Sequence, residues 1–221
     1  MPAFNRRALQ IDATGTQIHH THTKVDASEP RPPMKYHLCT PQLRPEGRMT
    51  QADIDAIGDL MWKFAKLTNL PIKAIACVPR VGDELAKAFL RASQKDGVTL
   101  PKLLFSKYME NDVSLIGPLQ DNDGYEPSQE VWLFDDVVHR SLSKQRTKAR
   151  AVEAGYRVRG IFVFMDYDQG AQEHFREQGI DLQRVITIRY ALQCAINDNE
   201  ITAREYRACM SYLDKTRGGI M

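Results

Sequence analysis

Four apolar residues in a row, Val131-Trp132-Leu133-Phe134, run into Asp135-Asp136-Val137-Val138 and then into the polar stretch His139-Arg140-Ser141-Leu142-Ser143. An uninterrupted apolar run predicts a strand covered on both faces, as in the middle of a parallel sheet. Ser143 to Glu153, stopped by Gly155, predicts a helix with Ala149, Val152 and Ala154 available for packing. A strand that ends in acids and turns into a helix N-terminus places carboxylates beside backbone N–H groups. That combination suits a ligand carrying sugar hydroxyls and a phosphate.

The alternation continues on both sides. Ile161 to Met165 predicts a second buried strand, Asp166-Tyr167-Asp168-Gln169-Gly170 a polar loop, Gln172 to Gln178 a helix, and Arg184 to Ile188 a third strand. Upstream, Thr50 predicts the cap of a helix with Ile54, Ile57, Leu60, Met61, Phe64 and Leu67 at helical spacing, ended by Asn69 and Pro71. Ile72 to Val78 predicts a strand, Pro79 to Asp83 a loop at its carboxyl end, and Glu84 to Ala92 a helix. Ligands of open α/β sheets sit at such carboxyl ends, so the loop at 79–83 and the acid pair are expected to face one crevice. Leu103 to Phe105 reads as a short strand. The long connection from there to Gln129 reads either as a closing lid or as a hairpin pinned by Ile116 and Leu119.

Residues 1–49 carry less pattern. Asn5 to Ile11 reads as a short helix, Glu29 to Pro33 as extended surface chain, and Met34 to Cys39 as an edge strand. His19, His20 and His22 lie in a polar, turn-prone segment with no nearby carboxylate, which reads as loop rather than metal site. The expected division is therefore an N-terminal extension over 1–49 and an α/β domain over 50–221.

Composition narrows the function classes. The chain has 221 residues, 43% hydrophobic and 26% charged, enough for one full core, and its formal charge of +2 gives no general case for nucleic acid. Lys144, Arg146, Lys148 and Arg150 read as a solvated helix face, with phosphate or a partner as the alternative. Cys39, Cys77, Cys194 and Cys209 are too scattered for a zinc site or a disulfide framework, which points to reduced thiols in a cytoplasm. No apolar stretch is long enough for a membrane span, and the N-terminus lacks a signal-peptide core.

The order Ala76-Cys77-Val78-Pro79-Arg80-Val81-Gly82-Asp83-Glu84, then Lys107, then Asp135-Asp136-Val137-Val138, then Asp166 to Gly170, resembles orotate phosphoribosyltransferase. The resemblance runs from residue 71 to about 213 and implies a type I phosphoribosyltransferase-like fold: a central parallel sheet flanked by helices, under a small hood built from the two chain ends. It implies transfer of a phosphoribosyl group from phosphoribosyl pyrophosphate to a pyrimidine-type base, with Mg2+ and release of pyrophosphate, by a homodimer whose lid reaches the neighbouring site. Asp135, Asp136 and Lys107 would be catalytic, and the two aspartates would also hold the metal through its water shell. Arg80, His139, Arg140, Ser141, Leu142 and Ser143 would bind phosphate and pyrophosphate. Tyr167 would meet the base.

Three departures qualify the transfer. Beyond the acid pair the family carries small residues, where this chain has His139, Arg140 and Leu142 and matches well only at Ser143. Tyr167 stands where the family's arginine grips orotate, so orotate loses its bidentate partner. From Tyr108 to Gly117 there is no cation, only Glu110 and Asp112, which would repel pyrophosphate. Two readings follow: an active phosphoribosyltransferase, or a non-catalytic protein that binds phosphoribosyl pyrophosphate or a nucleotide on the same fold.

Overall fold

The computed structural model describes residues 8–12, 32–43, 47–110, 113–139 and 142–217. The expected positions His19, His20, His22, Asp112, Arg140 and Ser141 lie outside them.

The centre is a six-stranded sheet in the order β5-β4-β3-β6-β7-β8. Its strands are β3 (Ile75–Cys77), β4 (Lys102–Glu110), β5 (Val113–Asp121), β6 (Glu130–Val138), β7 (Arg157–Asp166) and β8 (Asp181–Thr187). All neighbours run parallel except the β4/β5 pair at one edge. The β4/β5 pair settles the open reading of the long connection: it is an antiparallel hairpin, with Ile116 buried and Leu119 packed against the core.

Strand alternation divides the apolar side chains between two layers. Trp132 and Phe134 of β6 and Phe162 and Phe164 of β7 join one core with α1 (Gln51–Leu67), α2 (Val81–Lys95), α5 (Ile188–Asn197) and α6 (Ala203–Thr216). Val131 and Leu133, with Ile161 and Val163, join the other beneath α3 (Leu142–Glu153) and α4 (Ala171–Glu177). Burial on both faces is why these strands read as unbroken apolar runs. Phe89, Phe134 and Phe162 pack with ring centroids 4.9 to 6.0 Å apart, anchoring α2 to the middle of the sheet.

Thr50 caps α1 through a capping box with Asp53, and Thr202 caps α6 in the same way with Glu205. Several details differ from the sequence expectations. Helix α2 begins at Val81 rather than Glu84, because Arg80 adopts φ 82° and turns the chain at once out of β3. Ile188 opens α5 and does not end β8, since Thr187 caps that helix by accepting the N–H of Tyr190. Leu67 lies 84% exposed and Val152 54% exposed, while Thr147 and Ala151 face the core from α3. Near the N-terminus, β1 (Leu9–Ile11) is a strand, not the end of a helix; it pairs antiparallel with β2 (Met34–Tyr36) in a separate two-stranded sheet. Ala8, Met34, Tyr36 and Leu38 bury against the same core as α1 and α6. Among the described residues no helix is long and apolar enough to cross a membrane.

Candidate active site

Strand lengths create a notch at the carboxyl edge of the sheet. Cys77 pairs with Leu104 on one side and Phe134 on the other, and β3 stops there. Its neighbours β4 and β6 continue to Glu110 and Val138. The half-buried Lys107 and the pair Asp135-Asp136 therefore lie on strands that flank the end of β3, and the loop carrying the exposed Arg80 crosses between them. Arg80 occupies the left-handed region without being glycine, a conformation that costs about 1–3 kcal/mol and clusters at functional sites. Gly82 explains how closely this turn approaches: a Cβ there would stand 2.7 Å from Asp135 Oδ1 and 3.2 Å from the Phe134 carbonyl oxygen.

Asp135 is buried, and both its oxygens are engaged. Oδ2 lies 2.5 Å from Lys144 Nζ, with 5% and 6% of the two side chains exposed. Oδ1 accepts the Asp136 N–H at 2.9 Å. The ammonium of Lys144 also donates to the Val137 carbonyl and lies 3.5 Å from Ser143 Oγ. Asp136 Oδ1 accepts the Val137 N–H at 2.8 Å. Burial first, and then repulsion by Asp135 and a hydrogen bond that the Asp136 carboxyl donates to it, push Asp136 up to about 8, against the pull of Lys144.

Sequence reasoning placed Lys144 on a solvated helix face, and this is corrected: it is 5% exposed and bonded into the site. One signal was available, because a lysine in the first turn of a helix opposes the macrodipole and implies a local anion that compensates. Leu142 is 41% exposed.

His139 packs edge-on against Tyr167 with centroids 5.1 Å apart. Tyr167 is buried, and its hydroxyl accepts the Tyr36 N–H at 2.8 Å, joining the sheet edge to β2. Burial raises its ionisation well above the usual phenol range, so it stays a neutral hydrogen-bonding group. The loop after β7 is fastened to the last two helices: Arg189 bridges Asp168 and Asp214 at 2.8 Å each, and Gln169 donates to Thr216 Oγ1.

The donor set fits a hydrated divalent ion on the aspartate pair poorly. Asp135 has the Lys144 ammonium on one oxygen and the Asp136 N–H on the other, and no group of three or more His, Cys, Asp or Glu able to hold a metal occurs among the described residues.

A mixed six-stranded sheet with helices on both faces, a hairpin at one edge and the acid pair at the carboxyl end defines a type I phosphoribosyltransferase fold. Within that class it is similar to orotate-type structures. UMP synthase from Leishmania donovani superposes with a TM-score of 0.70 at 18% identity, covering 96% of this chain and 40% of that one. Orotate phosphoribosyltransferase from Francisella tularensis gives 0.60 at 11% identity, covering 96% and 92% of the two chains. The Aeropyrum pernix orotate phosphoribosyltransferase gives 0.54 at 19% identity, covering 77% and 88%. This chain thus spans 40% of the length of the Leishmania protein. No family model matches the sequence, and no curated protein matches it.

Proposed function

We propose that the protein binds phosphoribosyl pyrophosphate in the notch beyond β3 and transfers the phosphoribosyl group to a pyrimidine-type base, releasing pyrophosphate. The observation that carries this reading is the convergence of Arg80, Lys107, Asp135, Asp136 and the α3 N-terminus on the carboxyl edge at the place where β3 stops short.

The chemistry follows from charge. As the bond from C1′ to pyrophosphate breaks, the sugar becomes oxocarbenium-like, and a base nitrogen closes on C1′ from the other side. Arg80 and Lys107 would neutralise the departing pyrophosphate. Asp135, fixed by Lys144 and by the Asp136 N–H, would form a rigid floor for the sugar. Asp136, whose carboxyl is raised above its ordinary range, would hydrogen-bond a ribose hydroxyl. N–H groups at the start of α3, with Ser143, would receive the 5′-phosphate. Tyr167, expected to meet the base, is buried with its hydroxyl taken by the Tyr36 N–H, and it brings no guanidinium, which favours an uncharged pyrimidine over a carboxylated one. A homodimer in a cytoplasm belongs to the same proposal, and sedimentation of the purified protein tests the first part of it.

A second reading, binding without turnover, is favoured by one feature: the Tyr167 hydroxyl bonds directly to the hood strand, closing the sheet edge against β2. A pyrophosphate-release assay with phosphoribosyl pyrophosphate and a panel of pyrimidines and purines separates the two. Release that disappears in Asp136→Asn supports transfer. Stabilisation of the protein by phosphoribosyl pyrophosphate with no consumption supports binding alone, and neither effect would overturn both.

A further inference from the structure

A pair of adjacent carboxylates at a strand end repels the anionic groups of a phosphorylated ligand unless positive charge stands between them. Here that charge is covalently part of the chain. Lys144 reaches back from the first turn of α3 to Asp135 Oδ2 at 2.5 Å and to the Val137 carbonyl. It is not a surface lysine caught in one rotamer: its side chain is 6% exposed, Asp135 opposite is 5% exposed, and Ser143 Oγ lies 3.5 Å away as the remaining polar neighbour. The other oxygen of Asp135 is taken by the Asp136 N–H and backed by Gly82. A hydrated ion seeking Asp135 would have to expel a buried ammonium that has already been desolvated and bonded.

We propose that Lys144 is the resident counter-cation of this site: it supplies at Asp135 the charge a divalent ion would otherwise bring, so that a phosphoribosyl ligand binds without a divalent-ion requirement. This rests on the notch being a phosphoribosyl site, and the experiment has one arm that does not depend on it. In that arm the free protein is titrated with Mn2+ alone and followed by electron paramagnetic resonance of the unbound ion. The wild type is expected to show no saturable Mn2+ site in the millimolar range, and Lys144→Met to acquire one, tighter by about tenfold or more, because an unpaired buried carboxylate then faces the ion. In the second arm, calorimetric titration with phosphoribosyl pyrophosphate is run in Mg2+ and in EDTA. Wild-type affinity is expected to change by less than about threefold, whereas Lys144→Met becomes dependent on Mg2+ by about tenfold, since neutralisation must then come from outside.

A saturable Mn2+ site in the wild type that vanishes in Asp135→Asn overturns the proposal, as does a wild-type affinity that collapses in EDTA. If phosphoribosyl pyrophosphate binds in neither medium, the functional reading fails and the Mn2+ arm still decides the role of Lys144. Should Lys144→Met not fold, the two wild-type measurements decide alone.

Discussion

Replacing Lys144 by methionine keeps most of the side-chain volume and removes only the charge and its hydrogen bonds. Because the Lys144 and Asp135 side chains are 6% and 5% exposed, solvent screening offers little relief, and the variant leaves a carboxylate buried without its partner. Breaking a buried pair in this way costs about 3–5 kcal/mol. The Val137 carbonyl loses its donor as well, which adds roughly 1 kcal/mol. At about 2–4 °C per kcal/mol for a chain of this size, the melting temperature should fall by roughly 8–24 °C. Adding Asp135→Asn to Lys144→Met removes the orphaned charge, so the double variant is expected to recover at least about 2 kcal/mol relative to the sum of the two single changes. Urea unfolding monitored by circular dichroism, with the four proteins compared at one pH, measures the cycle. A single-variant cost below about 1 kcal/mol, or costs that simply add, would show that the pair is not a desolvated ion pair and would remove the basis for assigning Lys144 its role.

Asp136 carries the next expectation. Its carboxyl is raised from an ordinary 3.8 to about 8, so between those values the folded protein binds more protons than the unfolded chain. Stability should be greatest below about pH 4 as far as this group is concerned and decline as pH rises through 8, and Asp136→Asn should flatten the profile of urea midpoint against pH, leaving a smaller slope of the same sign from Asp166, also raised by burial. An unchanged slope in Asp136→Asn refutes this. Gly82→Ala places a Cβ 2.7 Å from Asp135 Oδ1 and should cost about 1–3 kcal/mol in urea unfolding while weakening phosphoribosyl pyrophosphate binding; a neutral result would mean that the Arg80 turn can retreat freely. Tyr167→Phe removes the acceptor of the Tyr36 N–H and should cost about 1 kcal/mol, with faster hydrogen exchange at that amide; unchanged exchange would show that β2 is held by its other contacts.

The elements that could be read from sequence alone were those whose pattern is local. Trp132 to Phe134 and Ile161 to Met165 are apolar throughout because helices cover both faces of their strands. Thr50 announces a helix start because a hydroxyl beside free N–H groups satisfies them without tertiary help. What escaped depends on partners far along the chain. Leu9 to Ile11 is a strand only because Met34 to Tyr36 lies alongside it. Lys144 looks like any helix-surface cation until the fold brings it against Asp135. The fold was readable from the order of motifs, whereas the pairing of Lys144 with Asp135 was not, because one residue's charge says nothing about which neighbour will absorb it.

The β4/β5 hairpin bears on how water could be kept from a reacting sugar. A lid that swings as a whole needs a base free of fixed bonds, and this hairpin lacks one. Arg150 of α3 donates from Nε to the Ile116 carbonyl at 2.8 Å, tying β5 to the helix that follows the acid pair. Ser106 and Gly117 meet so closely that a Cβ on the glycine would fall 2.0 Å from the serine Oγ, which locks the two strands face to face. Any hinge must therefore lie beyond Lys107 on one strand and Ile116 on the other. On the first of these strands, Tyr108 and Met109 are 43% and 57% exposed. Neither side chain carries a cation, so under the proposed function the task of stabilising the leaving group would fall to Arg80 and Lys107, while the hairpin would govern access only.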